Sequence, residues 1–216
     1  MGDSRESLAA YWDEAYRSRG FTAVSWFQSA PTVSLELIEV LGVDKTEAVI
    51  DIGGGSSPLV DHLVRAGFED VTVLDVSEAA LESARQRVGE TGAVTWLHGD
   101  LLRWQPTRSY TLWHDRAVFH FLTAQADRDQ YLLTLNEAMA SGGAVVMATF
   151  ASDGPDYCSG LPVARYSPQG LSDVLGDGFR VVAERRELHT TPAGAVQPFT
   201  WVAAKAVVSR VGPAAG

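Results

Sequence analysis

The stretch VIDIGGGSSP, residues 49–58, decides the predicted fold. Its first four residues form a mostly apolar, β-branched run that is typical of a buried strand. The three glycines that follow allow a tight turn and the close approach of a ligand. Ser57 is a plausible helix N-cap, and Pro58 suits the first helical position. The pattern therefore predicts a strand that runs through a glycine loop into a helix, which is where open α/β sheets bind nucleotides.

Strand-like and helix-like segments alternate on both sides of this loop. The predicted strands cover residues 48–52, 71–74, 94–97, 110–114, 144–150, 180–188 and 199–207. The predicted helices cover residues 58–66, 77–88, 127–140 and 168–175, with two more around 11–17 and 31–41. Helical crossovers make neighbouring strands parallel, whereas the last two strands, with no helix between them, should form an antiparallel hairpin.

We therefore predict an α/β fold, a doubly wound seven-stranded sheet that is mostly parallel, with a C-terminal antiparallel hairpin and helices on both faces. Residues 1–216 are predicted to form a single domain. Residues 48–207 are its Rossmann-like core, and residues 8–42 form a helical cover over the open end of the sheet. About seven residues at the start and nine at the end are expected to be frayed.

The composition excludes several classes of protein. The formal net charge of −10 argues against binding to nucleic acid or to anionic membranes, because both need basic patches. Cys158 is the only cysteine, so it has no partner for an internal disulfide, and a reducing cytoplasm is the expected location. We find no signal-like N-terminus, no membrane-length apolar stretch and no spacing typical of metal ligands, and we predict no bound metal.

The residues around the loop distinguish two nucleotide cofactors. The dinucleotide fingerprint needs a further glycine where Pro58 stands. Asp51 would repel a pyrophosphate but suits the cationic amino-acid end of S-adenosylmethionine (SAM). Asp75 ends the second strand, about 20 residues after the glycine loop, where an acid accepts hydrogen bonds from ribose hydroxyls. Asp100 follows the third strand and can accept a hydrogen bond from the adenine amino group. This pattern favours SAM over NAD.

Residues 48–150 resemble the core of the class I SAM-dependent methyltransferases. AVIDIGGG resembles their first motif, VTVLD the second, WLHGDL the adenine-side acid, YTLWHDRAVFHFL the fourth motif and SGGAVVMATF the fifth-strand motif. The N-terminal YWDEAYRSRGFTAVSWF resembles the opening of a small bacterial branch, which also includes protein lysine methyltransferases.

The resemblance implies a role for each matching position. The methionine side of SAM would be lined by Asp51, Gly53, Gly54 and Gly55. The ribose would be bound by Asp75, the adenine would contact Val76, Asp100 and Leu101, and the transferring end would lie beside Asp115.

Five residues are candidates for the acceptor side. His120 could act as a general base, with Asp115 as a second catalytic candidate, or it could shape the loop. Arg116 could clamp a substrate carboxylate, or pair with Asp115 or another acid. Trp26 could close over SAM or the acceptor, and Cys158 could line the acceptor pocket.

We therefore expect a cytoplasmic SAM-dependent methyltransferase that acts on a nitrogen, oxygen or sulfur atom of a small molecule and releases S-adenosylhomocysteine (SAH). A protein lysine methyltransferase and a SAM-binding protein without catalysis remain alternatives, and an NAD-dependent oxidoreductase is a distant one. The chain is expected to be a monomer or homodimer.

Overall fold

A computed structural model describes residues 4–20 and 22–207 of the chain. Its strands are β1 (Val49–Ile52), β2 (Val71–Asp75), β3 (Val94–His98), β4 (Tyr110–Arg116), β5 (Met139–Phe150), β6 (Tyr157–Cys158), β7 (Leu161–Pro162), β8 (Phe179–Thr190) and β9 (Val196–Ala206). Its helices are α1 (Ser4–Arg19), α2 (Thr32–Leu41), α3 (Leu59–Arg65), α4 (Glu78–Val88), α5 (Gln125–Ala138) and α6 (Pro168–Leu175).

Seven strands form one sheet in the order β3-β2-β1-β4-β5-β9-β8. The first five strands are mutually parallel, and β9 runs antiparallel to both β5 and β8. The predicted fold class is therefore confirmed, including the terminal antiparallel hairpin. Strands β2 and β3 are added on one side of β1, and β4 and β5 on the other. The sheet therefore has a switch point between β1 and β4, and ligands bind at such points in open α/β sheets.

Helices cover both faces of the sheet because successive residues of a strand point to opposite sides. Val49 lies in the apolar cluster that contains Leu37 of α2 and Leu63 of α3. Its neighbour Ile50 lies in the other cluster, with Leu135 of α5. Strand β1 is thus buried on both faces, and the loop after it is held in a fixed position at the sheet edge.

The structure differs from the sequence prediction at the end of α5. The helix ends at Ala138 and β5 begins at Met139, five residues earlier than predicted. Gly143 makes this possible, because a Cβ there would lie 2.6 Å from the Met139 sulfur and 3.1 Å from the Thr111 carbonyl oxygen. The β4–β5 pairing also shifts register between Tyr110 and Leu112, which absorbs the early residues of β5.

The start of the chain and one short hairpin also differ from the sequence prediction. Helix α1 begins at Ser4, so the start of the chain is more regular than the predicted frayed end, while residues 208–216 lie outside the described residues. The β6–β7 hairpin, which the sequence did not indicate, turns through Ser159 and Gly160, both with positive φ. No helix in the described parts of the chain has the length and apolar character needed to cross a membrane.

Candidate cofactor and acceptor site

Two adjoining cavities lie at the carboxyl ends of β1 and β4. The larger one, here called the main cavity, brings together eight predicted site residues: Trp26, Gly53, Asp75, Val76, Asp100, Leu101, Arg116 and Cys158. The smaller one, the loop cavity, is lined by Asp51, Gly53 and Gly54, and it shares Trp26 and Arg116 with the main cavity. Most of the predicted site residues therefore line these two cavities, and three of the candidates lie outside the linings: Gly55, Asp115 and His120.

The glycine loop has to be glycine because the chain turns back on its neighbours. Gly53 has a φ of +62°, and a Cβ there would lie 2.1 Å from a methyl carbon of Val118. Gly55 has a φ of +41°, and its Cβ would lie 2.7 Å from the Asp75 carboxylate. A side chain at either position would strain the backbone; at Gly53 it would clash with the segment after β4, and at Gly55 it would fill the space beside the acidic end of β2. Gly55 thus shapes the site from behind its lining.

Asp51 is held from one side only. Its Oδ1 lies 2.7 Å from Nδ1 of His114, whose Nε2 lies 2.9 Å from the Ser34 hydroxyl. Its Oδ2 is buried and has no hydrogen-bond partner among the described residues. A buried carboxylate oxygen without a partner is costly, and a ligand cation such as the ammonium group of SAM would satisfy it.

Asp75 closes the end of β2 and is almost fully buried. Its Oδ1 accepts a hydrogen bond from the Ser77 backbone N–H at 2.7 Å. The pKa of Asp75 is raised to about 7, mainly by burial and to a smaller extent by the nearby charge of Asp51. The hydrogen bond from Ser77 acts in the opposite direction and lowers it. A buried carboxyl group that ionises near neutral pH suits a ligand whose hydroxyl groups donate hydrogen bonds to it.

The far end of the main cavity offers an apolar slot beside an acid. Val76 and Leu101 line it, and Oδ1 of Asp100 accepts a hydrogen bond from the Leu102 backbone N–H at 3.0 Å. This combination can hold a flat heteroaromatic ring with an exocyclic amino group. Together with Asp51 and Asp75, it supplies a partner for each polar end of SAM, so the residues present fit this cofactor.

Asp115 is turned away from both cavities. Its carboxylate accepts hydrogen bonds from the backbone N–H groups of Val118 at 2.9 Å and Phe119 at 3.1 Å, and from the Tyr131 hydroxyl at 2.8 Å. Burial raises the pKa of Asp115 to about 6, in spite of these bonds. The catalytic role suggested for Asp115 stays a prediction. The hydrogen bonds that it accepts from Val118 and Phe119 stabilise the loop after β4.

Arg116 lies at the boundary between the two cavities and does not pair with Asp115. Its Nη1 donates a hydrogen bond to the Trp26 carbonyl oxygen at 2.9 Å, and its guanidinium lies 4.8 Å from the centroid of the Phe199 ring. Burial lowers the pKa of Arg116 to about 10, so it remains a cation at neutral pH. Its Nε and Nη2 atoms are buried without a hydrogen-bond partner among the described residues.

His120 is fully buried behind the cavity rather than in its lining. Its ring packs edge-on against Phe121 and Phe150, with centroids 4.4 and 4.8 Å apart. Burial, followed by the charge of Arg116, lowers the pKa of His120 to about 3, so the ring is neutral at physiological pH. Cys158, by contrast, lines the main cavity, and burial raises the pKa of its thiol to about 11.

Helix α1 supplies lining residues that are not among the candidates predicted from the sequence. Leu8, Trp12 and Tyr16 lie at i, i+4 and i+8 on this helix, and all three line the main cavity. Trp12 packs edge-on against Trp26 and Phe121, at 5.5 and 5.2 Å between ring centroids. The helical spacing was the available signal, and only the position of α1 over the sheet edge distinguishes a pocket roof from core packing. Among residues 4–20 and 22–207, no group of acids, histidines and cysteines could hold a metal ion.

The sheet order, the glycine loop and the acids at the strand ends define the fold and cofactor site of a class I SAM-dependent methyltransferase. A family model described as a methyltransferase domain matches residues 49–143, which span β1 to the start of β5. Residues 49–143 thus match a methyltransferase domain, and the fold and strand-end acids resemble those of the class I SAM-dependent methyltransferases, whose cofactor is SAM.

Comparisons with individual proteins extend this result. The chain is 35% identical over 83 residues to an eEF1A lysine and N-terminal methyltransferase of Mus musculus, covering 38% of this chain and 11% of that protein. A solved SAM-dependent methyltransferase from Anabaena variabilis aligns with a TM-score of 0.75 at 16% identity over 96% of both chains. The Burkholderia thailandensis 1,6-didemethyltoxoflavin-N1-methyltransferase, solved with 1,6-didemethyltoxoflavin and SAH, gives 0.71 at 18% identity over 94% of this chain and 87% of that one.

These similarities differ in what they support. The solved structures support the fold alone, because their sequence identities are low. The chain spans only about a tenth of the length of the mouse relative. The methyl acceptor of this chain therefore has to be argued from its own site.

Proposed function

We propose that this protein transfers the methyl group of SAM to a nitrogen, oxygen or sulfur atom of a small-molecule acceptor and releases SAH. The observation that carries this proposal is the roof over the main cavity. Helix α1 lies across it through Leu8, Trp12 and Tyr16, and Trp26 and Phe121 line the same space. A covered, mostly apolar chamber suits a small acceptor better than an extended protein segment.

The cofactor roles are carried by the residues at the ends of β1, β2 and β3. Bound SAM supplies a methyl carbon activated by the adjacent sulfonium. We assign its ammonium group to Oδ2 of Asp51 and its ribose hydroxyls to Asp75. Asp100, with Val76 and Leu101, holds the adenine. These contacts fix the donor end, so that alignment with the acceptor lowers the barrier.

The residues after β4 complete the chamber. Val118, Phe121 and Leu122 line the main cavity and exclude water from the acceptor side. The base role of His120 stays a prediction; a neutral, fully buried ring with a strongly lowered pKa favours acceptors whose lone pair is already free at neutral pH. We propose that His120 and Asp115 position the loop between them.

Protein lysine methylation is the second candidate, favoured by the name of the mouse relative and by the aromatic residues of the cavity. Trp12 and Trp26 could attract a lysine side chain through cation–π contacts. Arg116 argues against it, because a buried guanidinium beside the acceptor would repel an incoming ammonium group.

A transfer experiment separates the two candidates. The purified protein is incubated with methyl-labelled SAM and with two fractions of a cell extract, one below about 3 kDa and one of dialysed protein. We expect label in the low-mass fraction and much less with Asp75→Ala, the matched variant in which cofactor binding is strongly weakened. Label confined to the protein fraction would favour the lysine candidate. Transfer to neither fraction, with SAH binding intact, would count against both.

We also propose that residues 1–216 act as one cytoplasmic domain that binds neither nucleic acid nor membranes. The net charge of −10 and the single, buried cysteine support this location and partner choice. Size-exclusion chromatography with light scattering would decide between monomer and homodimer.

A further inference from the structure

Unsatisfied polar groups are concentrated on one side of the site. Seven side-chain nitrogen or oxygen atoms of the described residues are buried without a hydrogen-bond partner. Five of them belong to Arg116, His120 and Ser159, and a sixth is Oδ2 of Asp51. Folded proteins satisfy most buried polar groups, so a cluster of unsatisfied ones indicates a place where a ligand supplies the partners.

The cluster lies over the acceptor half of the sheet edge. Arg116 ends β4, and its guanidinium packs on Phe199 of β9. His120 packs on Phe150 at the end of β5, and Phe150 packs on Phe199 at 5.0 Å. The adenosine-side residues, by contrast, follow β2 and β3 at the other side of β1. The cluster therefore lies away from the residues assigned to adenine and ribose, and it adjoins the loop cavity that contains Asp51.

Arg116 has an unusual electrostatic position within this cluster. It forms no ion pair among the described residues. The charges of Glu187 and Asp51 raise its pKa without forming an ion pair with it, and Oε1 and Oε2 of Glu187 accept hydrogen bonds from Gln28 at 2.6 Å and from Trp201 at 2.9 Å. A buried charge without a close counter-charge is destabilising, which makes the site attractive to an anion.

The free edge of the guanidinium specifies the kind of anion. Nη1 is used by the Trp26 carbonyl, and the unpartnered atoms are Nε and Nη2. These two N–H groups point in parallel and can bind both oxygens of one carboxylate. Because neither atom has solvent-accessible surface, a ligand reaches them only when the segments around the cavity open locally.

We propose that the methyl acceptor carries a carboxylate, separate from the atom that is methylated, and that Arg116 binds it through Nε and Nη2. This inference rests on the proposed function, because it names the class of acceptor for the same site. Arg116 then determines specificity: it selects small acids that also carry an amine, hydroxyl or thiol, and it rejects cationic acceptors such as lysine.

The test compares matched pairs of probes on the complex of the protein with SAH. The pairs are anthranilate and anthranilamide, salicylate and salicylamide, and thiosalicylate and thiosalicylamide, in which a neutral carboxamide with one acceptor oxygen replaces the carboxylate with two. Calorimetric titration should show at least one acid binding about tenfold more tightly than its amide. With Arg116→Gln the preference should fall to about one, and with Arg116→Lys, which keeps the charge but not the fork, it should be intermediate.

Two controls identify the role of Arg116. Glu187→Gln removes the distant acid and should keep or increase the preference for acids; a loss equal to that of Arg116→Gln would mean that the two residues form a structural pair. Arg108→Gln changes an arginine that pairs with Asp70 at the surface and should alter nothing. A thermal unfolding transition shows that each variant is folded. If Arg116→Gln does not fold, the preference for acids is compared between the wild type and Arg116→Lys.

The remaining outcomes separate this inference from its alternatives. If Arg116→Gln weakens SAH but not 5′-methylthioadenosine, which lacks the amino-acid end, then Arg116 binds the cofactor carboxylate and the proposal is wrong. It is also wrong if no acid binds better than its amide, or if the preference survives Arg116→Gln. Failure of the proposed function appears elsewhere, as an absence of methyl transfer into the low-mass fraction.

Discussion

The two sides of the site lie at one sheet edge but are built from the sequence in different ways. The cofactor side lies at the ends of β1 to β3, and the acceptor side lies over β4, β5 and β9. Each cofactor group lies within three residues of the end of a strand. The acceptor side joins segments that are far apart in the chain: the Tyr11 hydroxyl donates to the Ser159 carbonyl oxygen, and Arg116 donates to that of Trp26. The first side is set by local geometry, and the second depends on how distant segments pack.

This difference means that the two sides should be separable by mutation. Changes at strand ends should affect the binding of SAH and leave acceptor selection intact. Changes at Trp12 of α1 or in the cluster around Arg116 should do the reverse.

The largest effect is expected for Asp75→Ala. Two hydroxyl hydrogen bonds to a buried carboxylate would be lost, so the affinity for SAH should fall about 100-fold, measured by calorimetric titration. The matched control is Asp70→Ala, one residue before the opposite end of β2, where the carboxylate pairs with Arg108 at the surface. SAH affinity that changes less than about threefold in Asp75→Ala would contradict the assignment of the ribose.

The pH dependence of SAH binding is the next largest effect. Burial raises the pKa of Asp75 to about 7, so the free protein holds a proton there below pH 7. Binding ribose hydroxyls favours the ionised form, and the affinity for SAH should therefore fall by up to about tenfold for each pH unit below 7 and level off above it. Titrations at pH 5, 6, 7 and 8 measure this slope, and Asp75→Asn should abolish it.

The same proton affects the stability of the free protein in the opposite direction. Because the folded pKa of Asp75 lies above its ordinary value of 3.8, the folded state binds more protons than the unfolded state between about pH 4 and 7. The free energy of unfolding should fall as pH rises through this window, by up to about 1.4 kcal/mol per unit. Asp115, with its pKa raised to about 6, adds to the slope below pH 6 and should remain visible in urea unfolding of Asp75→Asn.

The separation between the two sides also explains how much could be predicted from the sequence. Strand periodicity, the three glycines and the acids at strand ends predicted the sheet and the positions that line the cofactor cavities. The orientation of Asp115 could not be predicted, because its partner Tyr131 lies 16 residues further on, in α5. A helical cover over residues 8–42 was expected from the sequence, but the α1 side chains that line the cavity could not be predicted, since an aromatic stripe at helical spacing has the same pattern in a core helix.

A smaller effect is expected for Trp12→Ala, which opens the roof. Trp12 contacts Trp26 and Phe121 over the acceptor side, so water would enter the chamber. We expect the rate of label transfer to the low-mass fraction to fall about fivefold, with SAH affinity within about twofold of the wild type. Leu133→Ala, at an exposed position on α5, is the control. A parallel loss of SAH affinity would mean that the two sides are not separable at this helix.

The smallest effect, Asp13→Ala, tests how α1 is attached to the cofactor side. Oδ1 of Asp13 accepts hydrogen bonds from the Ser77 hydroxyl at 2.6 Å and from the Ala79 backbone N–H at 3.2 Å, at the first turn of α4. Losing both should lower the free energy of unfolding by about 1 kcal/mol and weaken SAH about threefold, because α1 covers the cavity next to Asp75.

The control for Asp13→Ala is Arg17→Ala, which removes only the exposed ion pair of Asp13 and should change the free energy of unfolding by less than about 0.5 kcal/mol. Tyr11→Phe removes the hydrogen bond from α1 to the β6–β7 hairpin and should affect acceptor transfer more than SAH binding. If Asp13→Ala and Tyr11→Phe impair SAH binding and transfer in the same ratio, α1 responds as one rigid cover. Opposite ratios would mean that each half of the helix serves the side of the site to which it is bonded.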